Sequence, residues 1–136
     1  MSALIDTNVA IHLRDRNPEV LARVAAISES LSLSIVSRVE LESGLVTRVH
    51  DVRARRRASL RWLLEDFEIL DFDPPCADAY ARVIAVTGYS RPRTLDRMIA
   101  ATALAHGASL ITINAQHFRD IPGLDLIEWP SPGPAA

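Results

Sequence analysis

Four polar side chains stand where predicted strands end or where the next helix begins, and three of them are acids. Asp6 follows a short apolar run that reads as a buried strand. Glu40 lies in the first turn of the helix after the second strand, and Asp96 in the first turn of a later, alanine-rich helix. Asn114 follows another central strand. Because parallel strands present their carboxyl ends at one edge, the sheet could bring Asp6, Glu40 and Asn114 together, with Asp96 folding over the same edge.

Clustered carboxylates repel one another unless something positive sits between them. A hard divalent cation with oxygen ligands, Mg²⁺ or Mn²⁺, would relieve that repulsion. A cation held by Asp6 and Asp96, with Glu40 bound directly or through water, would lower the pKa of a bound water. The pattern therefore favours a site for a divalent metal ion that can activate water.

Each polar residue also has an ordinary structural explanation. Asp6 could simply cap the following helix, and Asn114 the following turn. Ser37 and Glu40 match a capping box, in which Glu40 reaches back to a backbone N–H. Asp96 near a helix start interacts favourably with the helix dipole. The combination at one sheet edge is a better signal than any one of these residues.

Predicted strands and helices alternate along the chain, which indicates a three-layer α/β fold with a mostly parallel sheet. We expect a single domain over residues 1–130 and a disordered Pro-rich tail over 131–136. Strands are predicted at residues 3–5, 31–36, 68–72, 110–112 and 126–129. Helices are predicted after Asn8 and at residues 18–30, 37–50, 51–66, 74–88 and 94–106, with a helical turn at 114–119.

Composition excludes several classes of protein. The chain has 136 residues, of which 49% are apolar, and its longest apolar runs are far too short to span a membrane. Without a secretory signal, and with Cys76 as the single cysteine, a cytoplasmic protein is the simplest expectation. All fifteen basic residues are arginine. The absence of lysine excludes a P-loop and Schiff-base chemistry.

The sequence resembles PIN-domain proteins, specifically the VapC toxins of bacterial toxin–antitoxin pairs. The resemblance covers nearly the whole chain, with its motifs in the right order. It is carried by the segments Leu4 to Val9, Ile35 to Leu41, Leu95 to Ala103, Leu110 to Phe118 and Ile121 to Leu124, followed by Leu126 and Trp129.

The resemblance implies a metal-dependent endoribonuclease with a Rossmann-like PIN fold, using Mg²⁺, with Mn²⁺ able to substitute. Asp6, Glu40 and Asp96 match the family's three regular acids and would hold the metal. Asn114 stands where many members have a fourth acid, although many VapC-like chains carry Asn there. Thr7 and Thr112 match positions at which the family has small hydroxyl side chains that orient the acids.

The same resemblance implies partners: an RNA substrate, a VapB-type antitoxin whose C-terminal segment covers the active site, a homodimer, and larger toxin–antitoxin assemblies. Arginines near the acids are the first candidates for contact with RNA or antitoxin: Arg91, Arg93, Arg97 and Arg38. The run from Arg48 to Arg61 is either a solvated helix face or a docking surface. The four histidines are expected to have surface or structural roles.

Two alternatives use the same residues differently. Phosphatases of the haloacid dehalogenase type need a second acid at the position of Asn8, and both they and response-regulator receivers use a lysine that this chain lacks. The other alternative is a catalytically weak PIN scaffold that binds RNA or protein, which Asn114 keeps open. Metal-dependent cleavage, lost in Asp6→Asn, would separate an enzyme from a scaffold.

Overall fold

Strands and helices alternate along the chain, and each predicted element is present with adjusted ends. The computed structural model describes residues 2–133. The strands are β1 (Ser2–Ile5), β2 (Ser30–Ser34), β3 (Glu68–Leu70), β4 (Ser109–Thr112) and β5 (Leu126–Glu128). The helices are α1 (Thr7–Arg14), α2 (Pro18–Ala25), α3 (Ile35–Ser43), α4 (His50–Asp66), α5 (Pro74–Thr87) and α6 (Thr94–His106), with short 3-10 turns at Arg91–Arg93 and Ala115–His117.

The strands form one parallel sheet in the order β3-β2-β1-β4-β5. β1 is central, with Leu4 in register with Ser32 on one side and Leu110 on the other. This confirms the predicted α/β class with a parallel sheet. The carboxyl ends of β1, β2 and β4 consequently lie side by side, at the edge where open α/β sheets bind ligands.

Apolar cores cover both faces of the sheet, which gives the predicted three layers. Alternate residues of a strand point to opposite faces. Ala3 and Ile5 belong to one buried cluster, together with residues of α1 and α4. Leu4 belongs to the other, with residues of α6. β1 is thus buried on both faces, and Asp6, the residue that follows it, is attached to a fully packed strand.

Helix ends follow local capping chemistry where the sequence signals are strong. Asn17 caps α2, accepting hydrogen bonds from the backbone N–H groups of Glu19 and Val20. Asp73 caps α5 by accepting from the Cys76 N–H. Gly107 ends α6 at φ 62°, a left-handed conformation that favours glycine. These boundaries match the predicted ones.

Other boundaries were predicted wrongly. β2 ends at Ser34 and not at residue 36, because Ser34 caps α3 by accepting from the Val36 N–H at 3.0 Å. α3 ends before Gly44, a poor helix former, and not near residue 50. α2 and β3 are also shorter than predicted, ending at Ala25 and Leu70.

The C-terminal tail is described only in part. Gly133 lies against the start of α2, where its carbonyl accepts from the Asn17 side chain and its N–H donates to Glu19. The rest of the tail predicted to be disordered, residues 134–136, lies outside the described residues. None of the helices within residues 2–133 has the length and apolar character needed to cross a bilayer.

Candidate functional site

Asp6 stands between β1 and α1, as predicted, and its side chain is almost completely buried, with 2% of the residue exposed. Its Oδ1 accepts a 2.6 Å hydrogen bond from the Thr7 N–H, so it also caps α1. Its Oδ2 accepts a 2.8 Å hydrogen bond from the Thr112 hydroxyl. Both carboxylate oxygens therefore have fixed donors, and the structure confirms the helix-capping explanation considered for Asp6.

Thr112, the last residue of β4, is itself oriented by the backbone that follows it. Its hydroxyl oxygen accepts the Asn114 N–H at 2.9 Å. The hydroxyl proton is then directed at Asp6, because a hydroxyl has one proton to donate. These two hydrogen bonds link the turn after β4 to the Asp6 carboxylate after β1.

Glu40 is held by a second set of hydrogen bonds, which involves Thr7 and Ser37. The Thr7 hydroxyl lies 2.7 Å from Glu40 Oε1, to which it donates. Thr7 Oγ1 also lies 2.8 Å from Ser37 Oγ. Because the Thr7 proton goes to the carboxylate, Ser37 donates to Thr7. The capping-box explanation for Glu40 is therefore wrong: Ser34 caps α3, and Ser37 lies inside the helix.

Asp96 lies in the first turn of α6, as predicted, with 26% of its side chain exposed. Its Oδ2 is 3.0 Å from His117 Nδ1, on the 3-10 turn after β4. The Asp96 charge is close enough to raise the pKa of both Asp6 and Glu40. The three acids predicted from the sequence are therefore electrostatic neighbours.

The pKa of Asp6 is raised from 3.8 to about 6, chiefly because burial penalises the charged carboxylate. The hydrogen bonds from Thr112 and Thr7 oppose this rise, and the charges of Asp96 and Glu40 add to it. The pKa of Glu40 is raised for the same reason, burial, and by Asp96, while the Thr7 hydroxyl lowers it. Negative charge is thus concentrated at Asp6 and Glu40, whose hydrogen-bond partners within residues 2–133 are a backbone N–H and hydroxyl groups and not cations.

This donor set fits a hard divalent cation, because carboxylate oxygens are its preferred ligands and positive charge would relieve the repulsion. Asp6, Glu40 and Asp96 would supply the ligands. Within residues 2–133, their oxygens do not form a group lying entirely within 4.8 Å of one another. Binding would therefore use water molecules between some of the carboxylates and the ion, which Mg²⁺ commonly retains.

Asn114 reaches the same sheet edge through its backbone. It precedes the 3-10 turn at Ala115–His117, and its side chain makes no capping hydrogen bond to that turn. The capping explanation considered for Asn114 is therefore wrong for its side chain. Its backbone N–H instead supports Thr112 and, through it, Asp6.

The four arginines predicted to contact RNA or antitoxin differ in their surroundings. Arg91 is exposed and Arg93 partly so, on the 3-10 turn that leads into α6. Arg38 is exposed and pairs with Glu42 at 3.7 Å. Arg97 is only 5% exposed, and its guanidinium donates to the Gly88 carbonyl at 2.6 Å and faces Asp120 at 3.5 Å. Arg97 therefore holds neighbouring loops in place, a role that its sequence position did not indicate.

Ser37 and His117 are the site residues that the sequence did not single out for this role. Ser37 was interpreted as a helix cap because the strand before it was predicted two residues too long. His117 was expected to have a surface or structural role, since the four histidines lack zinc-like spacing. Its position three residues after Asn114, on the turn that follows β4, was the available signal.

Known proteins match the part of the chain that forms this acidic site. A family model described as the PIN domain matches residues 3–124, most of the chain. The ribonuclease VapC1 of Rickettsia felis is 32% identical over 131 residues, covering 93% of this chain and 96% of that protein. The shared sequence therefore includes every element that contributes to the acidic site.

Solved structures show the same fold. The structure of VapBC2 from Rickettsia felis, bound to a DNA fragment from its promoter, matches with a TM-score of 0.81 at 22% identity, covering 95% of this chain and 99% of that one. FitAcB from Neisseria gonorrhoeae matches with a TM-score of 0.78 at 28% identity, covering 93% and 96%. These similarities extend over nearly the full length of each chain.

Proposed function

The chain belongs to the PIN domain family and within it to the VapC ribonucleases, and on this premise we propose that it is a metal-dependent endoribonuclease that hydrolyses phosphodiester bonds of RNA. The observation that carries the proposal is the meeting of Asp6, Glu40 and Asp96, from three separate parts of the chain, at one edge of the sheet. Such a concentration of acids is costly for folding alone, which favours a role in binding a cation.

Mg²⁺, or Mn²⁺ in its place, would supply a water of lowered pKa and positive charge for the attacked phosphate. The chain's own contribution is positioning. Thr112 and the Thr7 N–H fix both oxygens of Asp6, while the Thr7 hydroxyl fixes Glu40. These donors hold the carboxylates in place before substrate arrives.

Attack by water would leave a 5′-phosphate and a 3′-hydroxyl and needs no covalent intermediate. Asn114 would contribute an amide where a fourth acid would add charge, so it would orient water or substrate and not bind the ion strongly. Arg91, Arg93 and Arg38 remain the proposed contacts for the RNA backbone or the antitoxin, since Arg91 and Arg38 are exposed and Arg93 is partly exposed. Arg97 would act indirectly, by fixing the segment that carries Arg91 and Arg93.

We also propose that a VapB-type antitoxin holds the enzyme inactive. The structurally similar proteins from Rickettsia felis and Salmonella typhimurium are VapBC complexes bound to DNA. A guanidinium group from such a partner would pair favourably with the acidic site when no cation is bound. A homodimer and larger toxin–antitoxin assemblies, acting in the cytoplasm, belong to the same proposal.

A binding scaffold without catalytic activity is the second candidate function. The observation that favours it is Asn114, which leaves the site with three acids and one amide. In this case the acids would bind a cation or an arginine of a partner without cleaving RNA. The two functions differ in one measurable property, the metal-dependent release of new RNA ends.

The deciding experiment is cleavage of total cellular RNA by purified, antitoxin-free protein with Mg²⁺, with Mn²⁺ and with EDTA. An Asp96→Asn variant should lose cleavage, while Asp78→Asn, an exposed aspartate on α5, serves as the matched control. Discrete fragments with 5′-phosphate ends that require metal support the enzyme. Folded wild-type protein that cuts no RNA in any metal would favour the scaffold.

A further inference from the structure

A second group of metal-binding side chains lies away from the carboxylate site, where the start of α5 meets the end of α6. It consists of Asp73, Cys76 and His106. One ligand atom from each, a carboxylate oxygen, the thiol sulfur and an imidazole nitrogen, lies within 4.8 Å of the other two. Within residues 2–133, this is the one group of three His, Cys, Asp or Glu side chains that meets this spacing.

Independent structural features fix the position of each ligand. Asp73 caps α5, accepting the Cys76 N–H at 3.2 Å, and Cys76 follows in the first turn of that helix. His106 is the last residue of α6, held there by the turn at Gly107. Helix capping explains the contact between Asp73 and Cys76. It does not explain why an imidazole from another helix completes the triangle.

The accessibility of the three residues suits a metal that enters from solvent. Cys76 is fully buried, Asp73 is partly exposed and His106 is exposed. The thiol sulfur also lies 3.6 Å from the Asp71 carbonyl oxygen. A cation held from the protein side by sulfur would therefore keep one face open, where a water molecule completes a four-coordinate site.

We propose that Asp73, Cys76 and His106 bind a zinc ion that joins the start of α5 to the end of α6. Sulfur and nitrogen ligands select Zn²⁺ and disfavour Mg²⁺, which prefers oxygen ligands. Binding converts the Cys76 thiol to a thiolate and releases its proton to solvent, while His106 binds as neutral imidazole and Asp73 as carboxylate.

This zinc site is separate from the acids proposed to act on RNA. Asp96 and His106 lie on the same helix, ten residues apart, which corresponds to about 15 Å along the helix axis. The two sites also differ in ligand chemistry, since the first offers carboxylates and the second offers sulfur, nitrogen and oxygen. The inference does not depend on the proposed ribonuclease activity, and its expected effect is on the stability of the α5 and α6 pair.

Titration of the full-length chain with Co²⁺, a spectroscopic substitute for Zn²⁺, tests the proposal directly. We expect a thiolate-to-cobalt charge-transfer band that saturates at one equivalent and is displaced by Zn²⁺. The band can report only Cys76, because the chain contains no other cysteine. Zinc at about 100 times its dissociation constant should raise the midpoint of thermal unfolding by roughly 5–10 °C.

Three variants separate metal binding from folding. His106→Gln, at an exposed position, should fold normally and lower metal affinity by at least about 100-fold. Asp73→Asn keeps a good helix cap while removing the charged ligand, so it should weaken binding without unfolding α5. His50→Gln changes another exposed histidine and should leave the titration unchanged.

Cys76→Ser, whose folding is checked by circular dichroism, should abolish the thiolate band. None of these variants alters an acid of the carboxylate site, so Mg²⁺-dependent RNA cleavage should survive in all of them. The proposal is overturned if wild-type protein gives no thiolate band with millimolar Co²⁺. It is equally overturned if His106→Gln binds Co²⁺ as tightly as wild type.

Discussion

The Thr112 hydroxyl donates a 2.8 Å hydrogen bond to Asp6 Oδ2, joining residues that are 106 positions apart in the sequence. Adjacent parallel strands make this contact possible, because β1 and β4 end side by side. The same hydroxyl accepts the Asn114 N–H. One buried threonine therefore connects two sides of the acidic site.

Replacing Thr112 with valine, which has a similar shape and no hydroxyl, should weaken this connection. Asp6 loses a donor and the Asn114 N–H loses an acceptor, so we expect the free energy of unfolding at pH 7 to fall by about 1–3 kcal/mol. Metal affinity should fall by roughly tenfold to 100-fold. Urea unfolding and calorimetric titration with Mn²⁺ measure the two effects.

Thr112→Ser and Thr102→Val are the controls for that prediction. Serine keeps the hydroxyl and should retain most of the metal affinity. Thr102 is equally buried, but its hydroxyl bonds to the Met98 carbonyl within α6. If Thr102→Val lowered Mn²⁺ affinity as much as Thr112→Val, the specific role given to Thr112 would be wrong.

The raised pKa of Asp6 predicts how the stability of the metal-free protein depends on pH. Its pKa is about 6 in the folded protein and 3.8 ordinarily, so the folded state binds a proton more tightly. Below pH 3.8 the carboxyl is protonated in both states and costs nothing. Between pH 3.8 and about 6 the unfolded chain has lost this proton while the folded protein keeps it, so a penalty on the order of 3 kcal/mol develops across this window and is complete above about pH 6, where the folded state must bury the charge.

Asp6→Asn should remove most of this penalty. We expect the metal-free variant to be more stable than wild type at pH 7.5 by about 1–3 kcal/mol, with the difference vanishing near pH 4. Urea unfolding in EDTA across this pH range measures it, and Asp78→Asn controls for loss of an exposed charge. A variant no more stable than wild type at pH 7.5 would contradict the assigned burial cost.

Adding Mg²⁺ should make wild type more stable than Asp6→Asn. Wild type gains stability by binding the ion, whereas the variant binds the ion more weakly.

The sequence could predict the sheet edge and its acids because the relevant signals are local. An apolar run followed by a polar turn locates the end of a strand, and an order of alternating elements implies a parallel sheet. Asp6, Glu40 and Asp96 could therefore be assigned to one edge before any contact was known. The resemblance to PIN-domain proteins reinforced that assignment with the same residues.

Contacts that depend on exact boundaries or on buried geometry could not be predicted. Because the predicted β2 ended two residues too late, the sequence indicated Ser37 as a helix cap. The structure places Ser37 beside Thr7. Arg97 carries a charge near Asp96 in sequence, yet α6 turns it inward against Gly88. The group of Asp73, Cys76 and His106 depends on the packing of two helices, which has no local sequence signal.

The Thr7 hydroxyl should matter mainly for Glu40. Thr7→Val removes the donor to Glu40 Oε1 but keeps the backbone N–H that binds Asp6. Glu40 would lose its fixed orientation, and we expect RNA cleavage to fall by roughly tenfold to 100-fold. Thr7→Ser should retain cleavage within a few-fold, because it keeps the hydroxyl. Cleavage retained in Thr7→Val and lost in Thr7→Ser would show that the threonine methyl group, and not the hydrogen bond, is what matters.

His117 makes a polar contact with Asp96, and the role of this contact can be tested separately from packing. Its Nδ1 lies 3.0 Å from Asp96 Oδ2, and the ring is about one-third exposed, so a substitution need not disturb the core. His117→Leu should leave thermal stability nearly unchanged while lowering Mn²⁺ affinity and RNA cleavage by about tenfold or more, because Asp96 loses its orienting partner.

His117→Asn provides the conservative replacement, since an amide nitrogen can occupy nearly the position of Nδ1. It should restore most of the Mn²⁺ affinity that His117→Leu loses. His12→Leu, which changes a partly buried histidine on α1, controls for general loss of an imidazole. Equal affinity in wild type and His117→Leu would mean that Asp96 is held by α6 alone, and that His117 has only the surface or structural role first expected from the sequence.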